Sequence, residues 1–171
     1  MADSDTIGAL MVAANSFLTD NGLAAEAIAW PNKAFDPAGK ALWARVSHVP
    51  NAPTVATLGI GGRDRGTGFL QIDLNVPENA GDGTFRDWEN YAREYFVAGG
   101  TFTRSGQTVR VISCAMSQGR TVDNWFRKSI TVVYRSDFTR ADPTALQGLL
   151  VLLDSVSAFE AAVSSLSSLT S

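Results

Sequence analysis

The sequence predicts an α+β fold: a mainly antiparallel β-sheet with two helices packed on one face, plus an appended C-terminal helix. Three observations carry this expectation. Apolar residues recur at three- and four-residue steps over 4–20 and again over 84–98, which is the stripe of a surface helix. Between and after these stripes the pattern changes to alternation, most strictly where Leu70, Ile72, Leu74 and Val76 interleave with Gln71, Asp73 and Asn75. The order is then helix, strands, helix, strands and a last helix, which suits helices laid over a sheet of hairpins.

Taken in order, Ile7, Leu10, Met11, Ala14, Phe17 and Leu18 form the first stripe, with Ser4 or Asp5 as cap and Asn21-Gly22 as terminator. Ala27 to Trp30 reads as a short strand stopped by Pro31, and 32–39 as a loop. Ala41 to Val49 alternates as a half-buried strand before Pro50 and Pro53 interrupt it. Thr54 to Ile60 resumes an extended pattern, and 59–68 holds five glycines before the Leu70 strand, so the pair reads as a long hairpin. Phe85, Trp88, Ala92, Tyr95 and Phe96 mark the second helix, in which Thr84 and Asp87 resemble a capping box and Gly99-Gly100 ends the run. Thr101–Arg104, a Ser105-Gly106 turn and Gln107–Met116 make a hairpin. A polar loop, 117–124, leads into a strand over Trp125–Arg135. Residues 136–142 read as a linker, and Asp142-Pro143 as a helix start whose stripe includes Leu146, Leu149, Leu150 and Leu153. The domain division follows: 1–136 an α+β domain, 137–171 a linker and helical extension.

The 171 residues, 45% hydrophobic and 18% charged, suffice for one core without disulfides or metals. The N-terminus is acidic where a secretory signal needs positive charge, and no apolar run is long enough to span a bilayer. A soluble, unexported product of the cytoplasm with no membrane partner is the expectation. The net charge of −3 is unevenly spread. Residues 1–98 carry seven bases against twelve acids, 99–140 seven bases against two acids, and 141–171 three acids and no base. Such asymmetry suits ordered self-assembly or docking, and equally the polar outer faces of long strands.

The sequence offers few groups for chemistry. His48 is the single histidine, in phase with Leu42, Ala44 and Val46, and the adjacent Ser47 points to the other face of the strand. Cys114 is the single cysteine and falls within a strand, as a small hydrophobe does. Metal ligation would rest on carboxylates alone, and Asp73, Glu78, Asp82 and Asp87 show no converging spacing. The glycine-rich stretch 59–68 leads into a strand rather than a helix, and it lacks the Gly-Lys-Ser/Thr ending of a phosphate-binding loop. No catalytic residue, cofactor or metal is expected.

The segments Ala27-Ile28-Ala29-Trp30-Pro31-Asn32, Leu42-Trp43-Ala44-Arg45-Val46 and Gly68-Phe69-Leu70-Gln71-Ile72-Asp73-Leu74-Asn75-Val76-Pro77 follow one another in a telling order. With the second helix, the hairpin at Val109-Arg110-Val111 and the strand ending Thr131-Val132-Val133-Tyr134-Arg135, they resemble the bacteriophage tail-terminator-like (tail completion) family. The likeness spans roughly 5–136 and leaves 137–171 outside. It implies a structural virion protein forming a homohexameric ring at the head-proximal end of the tail. Its partners would be further copies of itself, the tail tube protein and the head–tail connector, with DNA passing the lumen without specific binding. A tail-tube or head-completion subunit is the rival within structural proteins, and a small ligand-binding domain or enzyme without a recognisable motif is the rival outside them. Arg63, Asp64 and Arg65, expected on an exposed tip of the glycine hairpin, are either an ordinary exposed turn or an assembly arm. Leu146, Leu149, Leu150 and Leu153 must be buried against something, either their own subunit or a neighbour in a ring.

Overall fold

The computed structural model describes residues 2–59 and 61–140. Its elements are α1 (Ala2–Asp20), a 3-10 turn (Ala25–Ala27), β1 (Ile28–Ala29), β2 (Trp43–Pro50), β3 (Thr54–Val55), β4 (Arg63–Pro77), α2 (Gly83–Tyr95), β5 (Thr101–Arg104), β6 (Gln107–Met116), β7 (Arg120–Val122) and β8 (Trp125–Thr139). One sheet runs in the order β1-β2-β4-β8-β6-β5, with β3 beside β4 and β7 beside β8. Every pairing is antiparallel except the two-residue contact of β1 with β2. The α+β expectation holds for the described residues, and the C-terminal helix lies outside them.

The sheet is organised on β4 and β8, which pair along their full 15-residue lengths from Arg63↔Thr139 to Pro77↔Trp125. Period-two alternation places Leu70, Ile72, Leu74, Val76, Ile130, Val132 and Tyr134 on one face, all buried. Val46 and Ala44 of β2 and Val109 and Val111 of β6 extend that face on either side. In β6 the register shifts between Val111 and Ser113, and the bulge leaves Ile112 45% exposed.

Both helices lie over this apolar face. α1 ends in a Schellman motif: Gly22 is left-handed (φ 86°), the Leu23 N–H donates to Leu18 O and the Gly22 N–H to Thr19 O, both at 3.0 Å. Leu18 and Leu23, the positions whose apolar side chains accompany the motif, are both buried in the core. From α1, Phe17 meets Trp88, Tyr95 and Phe96 at centroid distances of 5.5, 5.6 and 5.1 Å, which locks the two helices together over the sheet. Phe85 of α2 reaches Phe126 of β8 at 5.7 Å.

Four local expectations are corrected. α1 begins at Ala2, so Ser4 and Asp5 sit in its first turn rather than capping it. The capping box of Thr84 and Asp87 does not form: α2 begins at Gly83, so Thr84 lies inside the helix, and the preceding Asp82 makes no side-chain cap, its carboxylate pairing with Lys128 Nζ at 2.5 Å. The polar stretch 117–124 contains β7, joined to β8 through Asp123 and Asn124, both left-handed (φ 50° and 64°) as a type I′ hairpin turn requires. Residues 136–139, expected as linker, are the last part of β8, held by pairing with Arg63–Gly66.

Candidate assembly surfaces

The helix-free face of the sheet is built by the other half of the alternation, and registers across it define rows. Val49, Phe69 and Val133 face one another across β2, β4 and β8. Val49 and Val133 remain 41% and 36% exposed, an apolar strip with no layer over it among the described residues. On one side of the strip the face is polar and closed. Asp73, only 5% exposed, accepts from Gln71 Nε2 at 2.7 Å and Ser129 Oγ at 2.6 Å, and Asn75 Oδ1 accepts from Arg127 Nε at 2.7 Å. Buried polar groups satisfied between β4 and β8 fix the register, because a one-residue slip would break the Ser129–Asp73 and Arg127–Asn75 bonds.

On the other side of the strip the charge is basic. Arg63, Thr108, Arg110, Arg135 and Asp137 surround a cleft of about 230 Å³, and Arg65 Nε donates to Asp137 Oδ1 at 2.8 Å. The Asp137 carboxyl is held below the usual range, first by the hydrogen bond from Arg65 and then by the charges of Arg65, Arg135 and Arg63. One row further out, Arg140 Nη2 lies 2.5 Å from Asp64 Oδ1, and that carboxyl is lowered as well, chiefly by this hydrogen bond. These contacts tie the start of β4 to the end of β8 in an arm that β3 flanks through Thr54↔Arg65 and Val55↔Asp64. Because both carboxyls have native values below their unfolded ones, their contribution is complete above about pH 4. It drains as pH falls through the native values. Backbone amides of 63–66 and 136–139 should therefore lose exchange protection below about pH 4, earlier than those of Leu70–Leu74. Equal loss in both stretches would show that the pairs do not hold the arm.

A family model described as phage tail terminator protein matches residues 8–134. The chain belongs to this family. It is therefore a structural protein of the bacteriophage tail. A solved structure, 22% identical, aligns over 81% of this chain and 98% of its own with a TM-score of 0.60, and it supports the fold alone. No curated protein matches.

In this tail terminator the residues singled out from sequence fall as follows. Arg63, Asp64 and Arg65 are not at the tip of a hairpin but begin β4, where Ala56 N–H and Thr57 N–H donate to Arg63 O from the residues that follow β3. Asp64 and Arg65 are engaged in ion pairs, and Arg63 is exposed beside them. Leu146, Leu149, Leu150 and Leu153 lie outside the described residues. His48 is structural, with Nε2 2.6 Å from the Tyr134 hydroxyl. Burial pushes the half-buried Cys114 thiol up to about 11, far from the range of a reactive thiolate. Sequence reading passed over Arg110 and Arg135, which the β6–β8 register sets opposite each other on the open face. Their signal was the excess of bases over 99–140; only the register turns that excess into a patch.

A second concavity of about 550 Å³ lies at the β2 edge, among Trp30, Lys33, Phe35, Trp43, Arg45 and His48. Trp43 packs against Phe35 and Trp125 at 5.1 and 5.7 Å, and its Nε1 is the buried side-chain donor with no acceptor among the described residues. No group of three His, Cys, Asp or Glu side chains able to hold a metal occurs among the described residues.

Proposed function

We propose that this terminator closes the head-proximal end of the tail tube as a ring, hexameric by analogy with the resemblance in its sequence, and presents its outer surface to the head–tail connector. The family match over residues 8–134 carries the reading. Two features of the fold support it. The sheet ends in edges that can accept another strand: β5 on one side, and β2 on the other, where β1 covers only Ala44 and Arg45. A contact joining one edge to a different edge of a neighbour is heterologous, and it closes into a ring when the rotation per subunit fits. The charge is also polarised, with a basic arm and open face on a chain that is acidic overall. Polarised subunits fit one register in a ring and resist others.

The purified protein, viewed as single particles, should form closed rings one subunit thick. Stacked open-ended tubes would instead identify a tail-tube subunit. A monodisperse monomer at all concentrations would remove the ring from the reading.

A further inference from the structure

The open face of the sheet carries an apolar strip and a basic cluster side by side, and the chain itself contains a segment with the opposite signature. On the face, Val49, Phe69 and Val133 form the strip. Arg63, Arg65, Arg110 and Arg135 surround the single acid Asp137, an excess of three positive charges. The segment 141–171 carries Asp142, Asp154 and Glu160 with no base, and these acids flank Leu146, Leu149, Leu150 and Leu153. Both parts of the signature correspond: leucines for the strip, three acids for three uncompensated arginines. Like-charged partners would be rejected at such a surface, which selects one occupant over others.

We infer that residues 141–171 of one subunit dock on the helix-free sheet face of the neighbouring subunit, leucines on the Val49–Phe69–Val133 strip and acids toward Arg63, Arg110 and Arg135. This rests on the ring reading above. The direction in which the chain leaves β8 favours a neighbour over the subunit's own face. Arg140 continues the arm outward, its N–H donating to Gly62 O at 2.8 Å and its guanidinium bound to Asp64. A return to the same face would have to undo the outward course that Arg140 sets. Extended, the segment spans up to about 100 Å, ample to cross a subunit boundary. Each subunit would then give one clasp and receive one, so the contact repeats around the ring.

The experiment uses two full-length variants. A face variant carries Arg63→Glu, Arg110→Glu and Arg135→Glu; a segment variant carries Asp142→Lys, Asp154→Lys and Glu160→Lys. Ring fraction is read by single-particle mass measurement. Each variant alone should lose rings by tenfold or more relative to the unaltered chain. An equimolar mixture should recover them, because in an alternating ring of even order every face then meets a segment of opposite sign. Rings that persist in the segment variant overturn the inference, and this holds even if the face variant folds poorly, since residues 2–140 are unchanged there. A mixture that stays without rings also overturns it. If a single chain bearing all six substitutions then regains rings, the segment belongs to its own subunit's face. If the unaltered chain forms no rings, the ring reading fails and the inference falls with it, a result separable from the others because no variant is needed to see it.

Discussion

Replacing Phe17 by alanine should destabilise the subunit by about 3–5 kcal/mol, a large part of the whole stability of a domain this size. Phe17 is fully buried at the point where α1, α2 and the sheet meet. Its ring touches Trp88 edge-on and packs against Tyr95 and Phe96, so truncation opens a cavity walled by aromatic rings too large to collapse into it. The melting temperature should fall by on the order of 10 °C. Both helices should loosen together, because this ring is their shared contact. A fall of less than about 3 °C would mean that α1 is held chiefly by its contacts with the β5–β6 hairpin instead.

The parts of the fold that were legible are those whose signal is local. β5 ends and β6 begins where Ser105-Gly106 makes their turn, with both residues left-handed (φ 49° and 79°), and the sequence names such a turn without help from elsewhere. The apolar stripe of α1 and its Gly22 terminator are local in the same sense. The arm was not legible, because its reason is remote. Arg63 to Gly68 has three charges, two glycines and no alternation, and Ser136–Thr139 reads equally as a linker. Each becomes strand chiefly through the other, 70 residues away in sequence from Gly66 to Ser136, by ladder pairing and by Arg65–Asp137 and Asp64–Arg140, with β3 and β6 alongside. The basic cluster followed the same rule: single arginines on β4, β6 and β8 become a patch once register is known. The capping box failed in the opposite way. Its local pattern, Thr84 and Asp87, was present, but the helix starts earlier, at Gly83, and Asp82 before it pairs with Lys128 instead of capping.

His48 shows how a residue that suggests chemistry can be explained by packing. Its strand position was read correctly as core-facing, but its partner was not visible in the sequence. Tyr134 stands opposite Gly68, and its hydroxyl reaches over that glycine to His48 Nε2, a crossing that needs a position without a side chain. The glycine therefore has a packing reason, where the sequence showed only one of five glycines in a hairpin.

Substituting Gly68 by alanine should accordingly cost about 3 kcal/mol or more, a surprising amount for one methyl group on a strand. The added Cβ would lie 2.5 Å from Val49 O and 2.9 Å from both Pro50 Cα and the Tyr134 hydroxyl, distances that carbon does not tolerate. Two responses are open to the protein, and a double-mutant cycle separates them. If the tyrosine yields, its hydroxyl leaves His48 and the hydrogen bond is lost, worth about 1 kcal/mol. Tyr134→Phe alone should then cost about 1 kcal/mol, and Gly68→Ala should cost at least about 1 kcal/mol less in that background than in the unaltered chain. The contact with the Val49 carbonyl remains in both backgrounds, so the glycine substitution should stay destabilising even without the hydroxyl. A cost that is unchanged by Tyr134→Phe would place the whole conflict in the β2 backbone. A cost below about 1 kcal/mol in the unaltered chain would show that β2 gives way at Pro50, where its strand already ends, and that the tyrosine's path over Gly68 does not constrain this position.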